Sequence, residues 1–274
     1  MYNPILDFSV LLSVYQKEQP AYLQQSLESI FTQTLLPNEV VLVKDGPLTT
    51  ELDQVVEAYR QKHPELKVIP LPQNQGLGKA LNEGLKNCSY DIVARMDTDD
   101  IAKPNRFEKQ IKVLREHPDI SVVSSWIDEF VDNPKHVIST RKLPETPDEL
   151  YEYGKKRSPV NHPVVMFRKQ AVLDSGSYIH YPLLEDYYLW ARMMVNGVKF
   201  YNIQESLLYF RASLDMFRRR GGWGYALTEA RLQFLFVGIG YISLGRFFKN
   251  IIGRFVVRLI PNGLRGWIYR KLLR

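Results

Sequence analysis

The chain has 274 residues, 45% apolar and 24% charged, an ordinary globular balance that excludes disorder, collagen-like repetition and a disulfide scaffold for the chain as a whole. The single cysteine, Cys88, can neither pair internally nor supply a thiolate cluster, which fits a reducing compartment. The net charge of +6 is uneven: residues 211–274 hold 13 Lys/Arg against 2 Asp/Glu, and residues 1–210 hold 23 against 28, so the C-terminal stretch is the part expected to meet an anionic partner.

No basic stretch followed by an apolar run opens the chain at Met1-Tyr2-Asn3-Pro4, so no secretory signal is expected. Phe8 to Val14 then reads as a buried strand. Pro20 opens a helix with Leu23, Leu27, Ile30 and Phe31 on one face, since proline at a first turn and this spacing both favour that state. Glu39 to Val43 is a second strand, ended by Lys44-Asp45-Gly46-Pro47, and Leu52 to Tyr59 a helix. Leu66 to Pro70 is a short third strand. Gly78 to Leu85 is a helix entered through a glycine-rich turn. Asp91 to Met96 is a fourth strand, ended by Asp97-Thr98-Asp99-Asp100. Asn105 to Glu116 is a helix and Ile120 to Ile127 a strand. Residues 128–158 read as a loop-rich insertion. A helix around Leu184 to Asn196 and a strand around Lys199 to Ile203 follow. This alternation with short links predicts an α/β fold with a mostly parallel sheet flanked by helices.

Ligands of open α/β sheets bind beyond the carboxyl ends of the strands. Tyr15, Asp45, Gln73 to Gly78 and Asp97 to Asp100 all fall there. Three carboxylates in four residues repel unless a cation or donors sit among them. Asp97 and Asp99, two apart at a strand end, could share a site suited to Mg²⁺ or Mn²⁺; a solvated acidic turn with Asp100 capping the next helix is the plainer reading. Gln75-Gly76-Leu77-Gly78-Lys79 lacks both dinucleotide and P-loop patterns. Asp45 could accept from a base or ribose, or be a turn aspartate. Asp186, at a helix start after Glu185, could be a stabilising N-terminal charge or a general base. His162 could contact a phosphate or acceptor, or be structural.

Taken in order, FSVLLSVYQKEQ, LQQSLESIFTQTLLPNEVVLVKDG, NQGLGKALNEGL, YDIVARMDTDDIAKPNRFEKQ, NHPVVMFRK and LLEDYYLWARMM resemble the motifs of family 2 glycosyltransferases of GT-A fold. The likeness covers roughly residues 7 to 212, and the later part is similar to bacterial enzymes of O-antigen, capsule and exopolysaccharide synthesis. It implies a catalytic domain over 1–212, with a nucleotide-sugar half to about 127 and an acceptor half from about 128. It implies that Tyr15 and Asp45 hold the base, that Asp97 meets the ribose side, and that Asp99 binds Mn²⁺ or Mg²⁺ against the diphosphate, with Gly78 and Lys79 also on the donor side. Asp186 would be the base beside Glu185, with His162, Arg218 and Arg219 as acceptor or phosphate contacts. The implied reaction is inverting, metal-dependent transfer of one sugar from a nucleotide-diphosphate sugar, a UDP-hexose or UDP-N-acetylhexosamine, to a lipid-linked saccharide. The chain lacks the Q-x-x-R-W element of processive synthases, which favours single addition.

Leu232 to Leu244 is almost wholly apolar but only 13 residues long, short of the ~20 that span a bilayer. Phe248, Ile251, Ile252, Phe255, Val256 and Leu259 then form a stripe, with Arg246, Lys249, Arg254 and Arg258 mostly away from it. After Pro261-Asn262-Gly263, Leu264 to Arg274 repeats that composition. The tail, 213–274, is therefore expected to be helical and amphipathic, and to lie on an anionic membrane through 232–274; packing on the body or on a second subunit is the alternative. With the lipid-linked acceptor that the resemblance implies, the protein is expected to lie peripherally at the cytoplasmic face of a bacterial inner membrane. The apolar stripe is too continuous for nucleic acid. The competing classes are a non-catalytic membrane-bound scaffold, against which the three acids stand, and a nucleotidyltransferase, whose glycine- and basic-rich first turn is missing here. A nicotinamide dehydrogenase is disfavoured because that turn, Tyr15-Gln16-Lys17-Glu18, holds no glycine.

Overall fold

The computed structural model describes residues 6–212 and 222–259. The first half winds β1 (Phe8–Val14), α1 (Pro20–Phe31), β2 (Glu39–Lys44), α2 (Thr50–Lys62), β3 (Leu66–Pro70), α3 (Leu77–Asn87) and β4 (Ile92–Arg95). The second half holds β5 (Ile101–Ala102), α4 (Arg106–Glu116), β6 (Ile120–Phe130), β7 (Ser139–Arg141), α5 (Pro147–Gly154), a 3₁₀ turn (His162–Val164), β8 (Met166–Arg168), α6 (Lys169–Asp174), α7 (Glu185–Val195) and β9 (Lys199–Arg211). Two further helices follow, α8 (Gly222–Gly238) and α9 (Leu244–Leu259).

One nine-stranded sheet runs in the order β3-β2-β1-β4-β8-β6-β9-β5, with β7 on β6. β1 to β4 pair in parallel, as do β6 and β9. β8 enters antiparallel between β4 and β6. β1, β2 and β4 are buried on both faces, hence their continuous apolar runs, whereas β3 forms the sheet edge and is partly exposed. Val10, Leu12, Val40 and Leu42 pack against Leu23 and Leu27 of α1 and Phe107 and Ile111 of α4. Leu11, Val41, Val43 and Val93 face the opposite layer, with Ala80 and Leu81 of α3 and Leu189 and Trp190 of α7. Pro20 stands in the first turn of α1. In α2 the Thr49 side chain accepts from the Leu52 amide at 3.3 Å, an N-cap.

Three features depart from the expectations. The stretch 128–158 is not only loop: it holds the end of β6, β7 and α5, and the Thr146 amide donates to Glu149 Oε2 at 3.1 Å in a capping box that starts α5. β6 and β9 run past Ile127 and Ile203 because they pair with each other through several register shifts, a long-range cause. The apolar run from Leu232 is split: Leu232, Phe236, Tyr241 and Ile242 are buried while Phe234 and Leu244 are exposed, and the Phe236 ring meets Tyr187 of α7 edge-on at 4.9 Å. Among the described residues no helix is long and apolar enough to cross a membrane. Leu264 to Arg274, Arg218 and Arg219 lie outside the described residues.

Candidate active site

The strand order reverses between β1 and β4, and the crevice at such a switch point is where this sheet type binds ligands. Loops from both strands meet there. Thr98 Oγ1 donates to Glu18 Oε2 at 2.7 Å, joining the turn after β1 to the acidic turn after β4. Ser26 of α1 donates to the Asp97 carbonyl at 2.9 Å.

Ligand oxygens of Asp97, Asp99 and Asp100 lie within 4.8 Å of one another. Burial, then the charges of Asp97 and Glu18, pushes the Asp99 carboxyl up to about 7. Asp100 is fully buried and is pushed well above the carboxylate range by burial, then by Asp99 and Asp97. Its Oδ1 accepts from the Arg211 amide at 2.8 Å, and its Oδ2 has no partner. Crowded hard oxygens, two of them on carboxyls raised by burial and by neighbouring acidic charge, fit a hard divalent cation.

Two buried arginines underlie this turn. Arg95 pairs with Asp97 through Nη2 and leaves Nε and Nη1 unpartnered. Arg106 of α4 donates to the Arg95 carbonyl at 2.5 Å, and burial, with the Arg95 charge, pushes it down to about 9. Arg211, at the end of β9, clamps the turn from the far side. Its Nε donates to the Asp99 carbonyl at 2.9 Å and its Nη2 to Gln25 at 2.6 Å, with its guanidinium 3.8 Å from the Tyr22 ring centroid.

Asp45 is buried and holds the next loop: Oδ1 accepts from the Gln75 amide at 2.7 Å and Oδ2 from Gly76 at 3.0 Å. Each of its oxygens therefore already has one donor. Gly46, at φ 86°, lies so close to this loop that a Cβ would stand 2.6 Å from the Asn74 amide nitrogen. Tyr15 and Lys79 are exposed at the same rim. Gly78 does more than open α3: a Cβ there would sit 3.2 Å from Glu185 Cγ, so its bare backbone admits the acid pair of α7.

Glu185 and Asp186 form the first turn of α7, where the helix dipole favours their charge. Burial, foremost, raises the Glu185 carboxyl. The lead-in to this turn holds two non-glycine residues at positive φ, Ser177 at 55° and Leu183 at 68°, conformations that cost energy and gather at functional sites. Tyr178 sits between the two acid sets. Its phenol is raised first by burial; Arg95 opposes that, and Asp186, Asp97 and Glu185 add to it. Asn82 of α3 fixes Tyr178 at both backbone groups, with Nδ2 donating to its carbonyl at 2.6 Å and Oδ1 accepting from its amide at 2.9 Å. Asn82→Ala should loosen this segment and lower the thermal midpoint, because it removes both bonds to the Tyr178 backbone; an unchanged midpoint would refute that role.

His162 Nε2 lies 3.0 Å from the Tyr178 hydroxyl, and the ring packs against Trp190. Burial, then the Arg95 charge, holds its pKa well below the usual value. The folded chain therefore keeps His162 neutral where the unfolded chain protonates it. Stability is present above about pH 6.5 and falls as pH drops below that, by at most about 1.4 kcal/mol per pH unit. His162→Gln should flatten this part of a urea-midpoint profile between pH 7 and 5.

Sequence reasoning missed Glu18, Asn82, Arg95, Tyr178 and Arg211. Glu18 was the accessible one, since it lies in the turn after β1 at the rim already singled out. The others depend on pairing across the fold.

A profile described as Glycosyl transferase family 2 matches residues 9–175. Over 267 residues the chain is 41% identical to an Escherichia coli protein named UDP-Gal:alpha-D-GlcNAc-diphosphoundecaprenol beta-1,3-galactosyltransferase, covering 97% of this chain and 96% of that one. It is 39% identical over 264 residues to the amylovoran biosynthesis glycosyltransferase AmsE of Erwinia amylovora, covering 96% and 98%. Among solved structures, S. aureus TarS 1–349 in complex with UDP-GlcNAc superposes with a TM-score of 0.67 at 21% identity, over 92% of this chain and 72% of that one, a likeness of fold. With a profile match over most of its length and relatives aligned almost end to end, this chain belongs to glycosyl transferase family 2.

Proposed function

We propose that this glycosyltransferase moves one hexose or N-acetylhexosamine from a UDP-sugar to a hydroxyl of a saccharide carried on a lipid diphosphate, in the synthesis of a bacterial surface polysaccharide. What supports this reading is that the Asp97–Asp100 carboxylates cluster within 4.8 Å and that Tyr178 feels the charge of Asp97 as well as those of Asp186 and Glu185. The similarity to an enzyme named for a diphosphoundecaprenol-linked acceptor supports the acceptor class. The work is peripheral, at the cytoplasmic face of the inner membrane.

Asp99, with Asp97 beside it, would hold Mn²⁺ or Mg²⁺, which supplies Lewis-acid neutralisation of a leaving diphosphate. Tyr15 and the loop held by Asp45 receive the base, and Gly78 and Lys79 border the donor. Arg95 keeps Asp97 in place from beneath. Asp186 takes the proton from the acceptor hydroxyl as its oxygen bonds to the anomeric carbon. The bond to the diphosphate breaks in the same displacement, with inversion. Glu185 orients the acceptor beside it.

A donor panel with Mn²⁺, scored for nucleotide release with and without a GlcNAc-diphosphate lipid, tests this. Release that depends on acceptor is expected with a UDP-hexose or UDP-N-acetylhexosamine. No acceptor-dependent release from any donor would refute the reading.

A further inference from the structure

α8 and α9 each present a stripe of exposed apolar side chains among the described residues. Trp223, Leu227 and Phe234 recur along one line of α8, and Leu244, Phe248 and Ile252 recur at every fourth residue of α9. These six are between 49% and 67% exposed. The opposite side of α8 is core, with Phe236 against Tyr187 and Tyr241. The two stripes meet: the Phe234 ring lies 6.4 Å from Phe247, which lies 5.3 Å from Phe248. The result is one continuous apolar ribbon, larger than scattered surface residues explain.

Among the described residues of α8 and α9 the exposed charge has one sign. Arg231 and Lys249 are exposed next to it. Glu229, the acid within 222–259, is buried at 4% exposure. A second copy docking on this face by two-fold symmetry would bring like cations together. A bilayer bearing anionic headgroups would complement both the apolar line and the cations.

We propose that this ribbon is the face on which the enzyme lies on an anionic bilayer, its aromatic and aliphatic side chains at the acyl boundary and Arg231 and Lys249 at phosphate level. It divides the apolar run from Leu232: Leu232, Phe236, Tyr241 and Ile242 face the core, whereas Phe234 and Leu244 join Trp223, Leu227, Phe248 and Ile252 at the surface. The inference rests on the lipid-carrier reading for its biological sense, whereas the surface chemistry stands apart from it.

Flotation of the full chain with vesicles of phosphatidylglycerol and phosphatidylcholine, against phosphatidylcholine alone, tests it. The wild-type chain floats with the anionic vesicles. Phe234→Glu with Phe248→Glu lowers that partition at least about tenfold, and Arg231→Glu with Lys249→Glu removes the preference for anionic lipid. Both variants keep wild-type transfer to a short-chain, water-soluble GlcNAc-diphosphate acceptor, which also shows that they fold. Failure of the wild type to float, unchanged flotation of the phenylalanine variant, or a shift from dimer to monomer by light scattering overturns the bilayer assignment. If no variant, nor the wild type, transfers sugar to the soluble acceptor, the catalytic reading fails, and the flotation result still decides the ribbon.

Discussion

Asp186→Asn leaves UDP-sugar binding intact and lowers transfer by about 10²–10⁴-fold. The amide keeps the size and polarity of the side chain in the first turn of α7, so Glu185, Tyr178 and the positive-φ lead-in through Leu183 stay in place. What the amide lacks is a lone pair basic enough to take the acceptor proton. Single-turnover rates with saturating donor, beside a calorimetric titration of the nucleotide sugar, separate the two quantities. Near-normal turnover would remove Asp186 from the base role. Glu185→Gln should cost less, since the role proposed for Glu185 is to orient the acceptor, which an amide can still do by hydrogen bonding.

Asp99→Ala removes divalent-ion-dependent donor binding and lowers kcat/KM about 10³-fold, the equivalent of about 4 kcal/mol. The same change should not weaken the ion-free fold. Burial beside Asp97 and Glu18 raises this carboxyl to about 7, so between about pH 4 and 7 the folded chain holds a proton that the unfolded chain has released. Above that window the ionised form opposes folding, and alanine relieves it. The Arg211 clamp survives, because Arg211 Nε bonds the Asp99 carbonyl and not its side chain. Thermal midpoints at pH 8 without divalent ions should therefore be equal or higher in the variant, while ion-linked stabilisation by UDP disappears. A large loss of ion-free stability would make Asp99 a structural residue instead.

Local periodicity carried the first half of the fold. Phe8–Val14 and Glu39–Lys44 were legible as strands because parallel strands buried on both faces are nearly continuous apolar runs, and α1 because proline and an apolar face coincide. β5 was not, since two residues, Ile101 and Ala102, are a strand only through pairing with Leu208 and Tyr209. The acid cluster was legible because its members are adjacent in sequence. The clamp around it was not: Asn82 bonds Tyr178 across 96 positions, and Arg211 reaches the acidic turn across more than a hundred. Tail amphipathicity was visible, but which side of α8 faces outward depended on where Tyr187 and Tyr241 stand.

The placement of β8 has a consequence for engineering. This strand, from the second half of the chain, is hydrogen-bonded on one edge to β4 and on the other to β6. No crossover point between residues 95 and 166 yields two self-sufficient pieces, so chimaeras that swap whole halves between relatives would each inherit a torn seam. Grafting should instead exchange the excursion from the end of β6 to the start of the 3₁₀ turn, which leaves and rejoins the same neighbourhood of the sheet and leaves the woven frame intact.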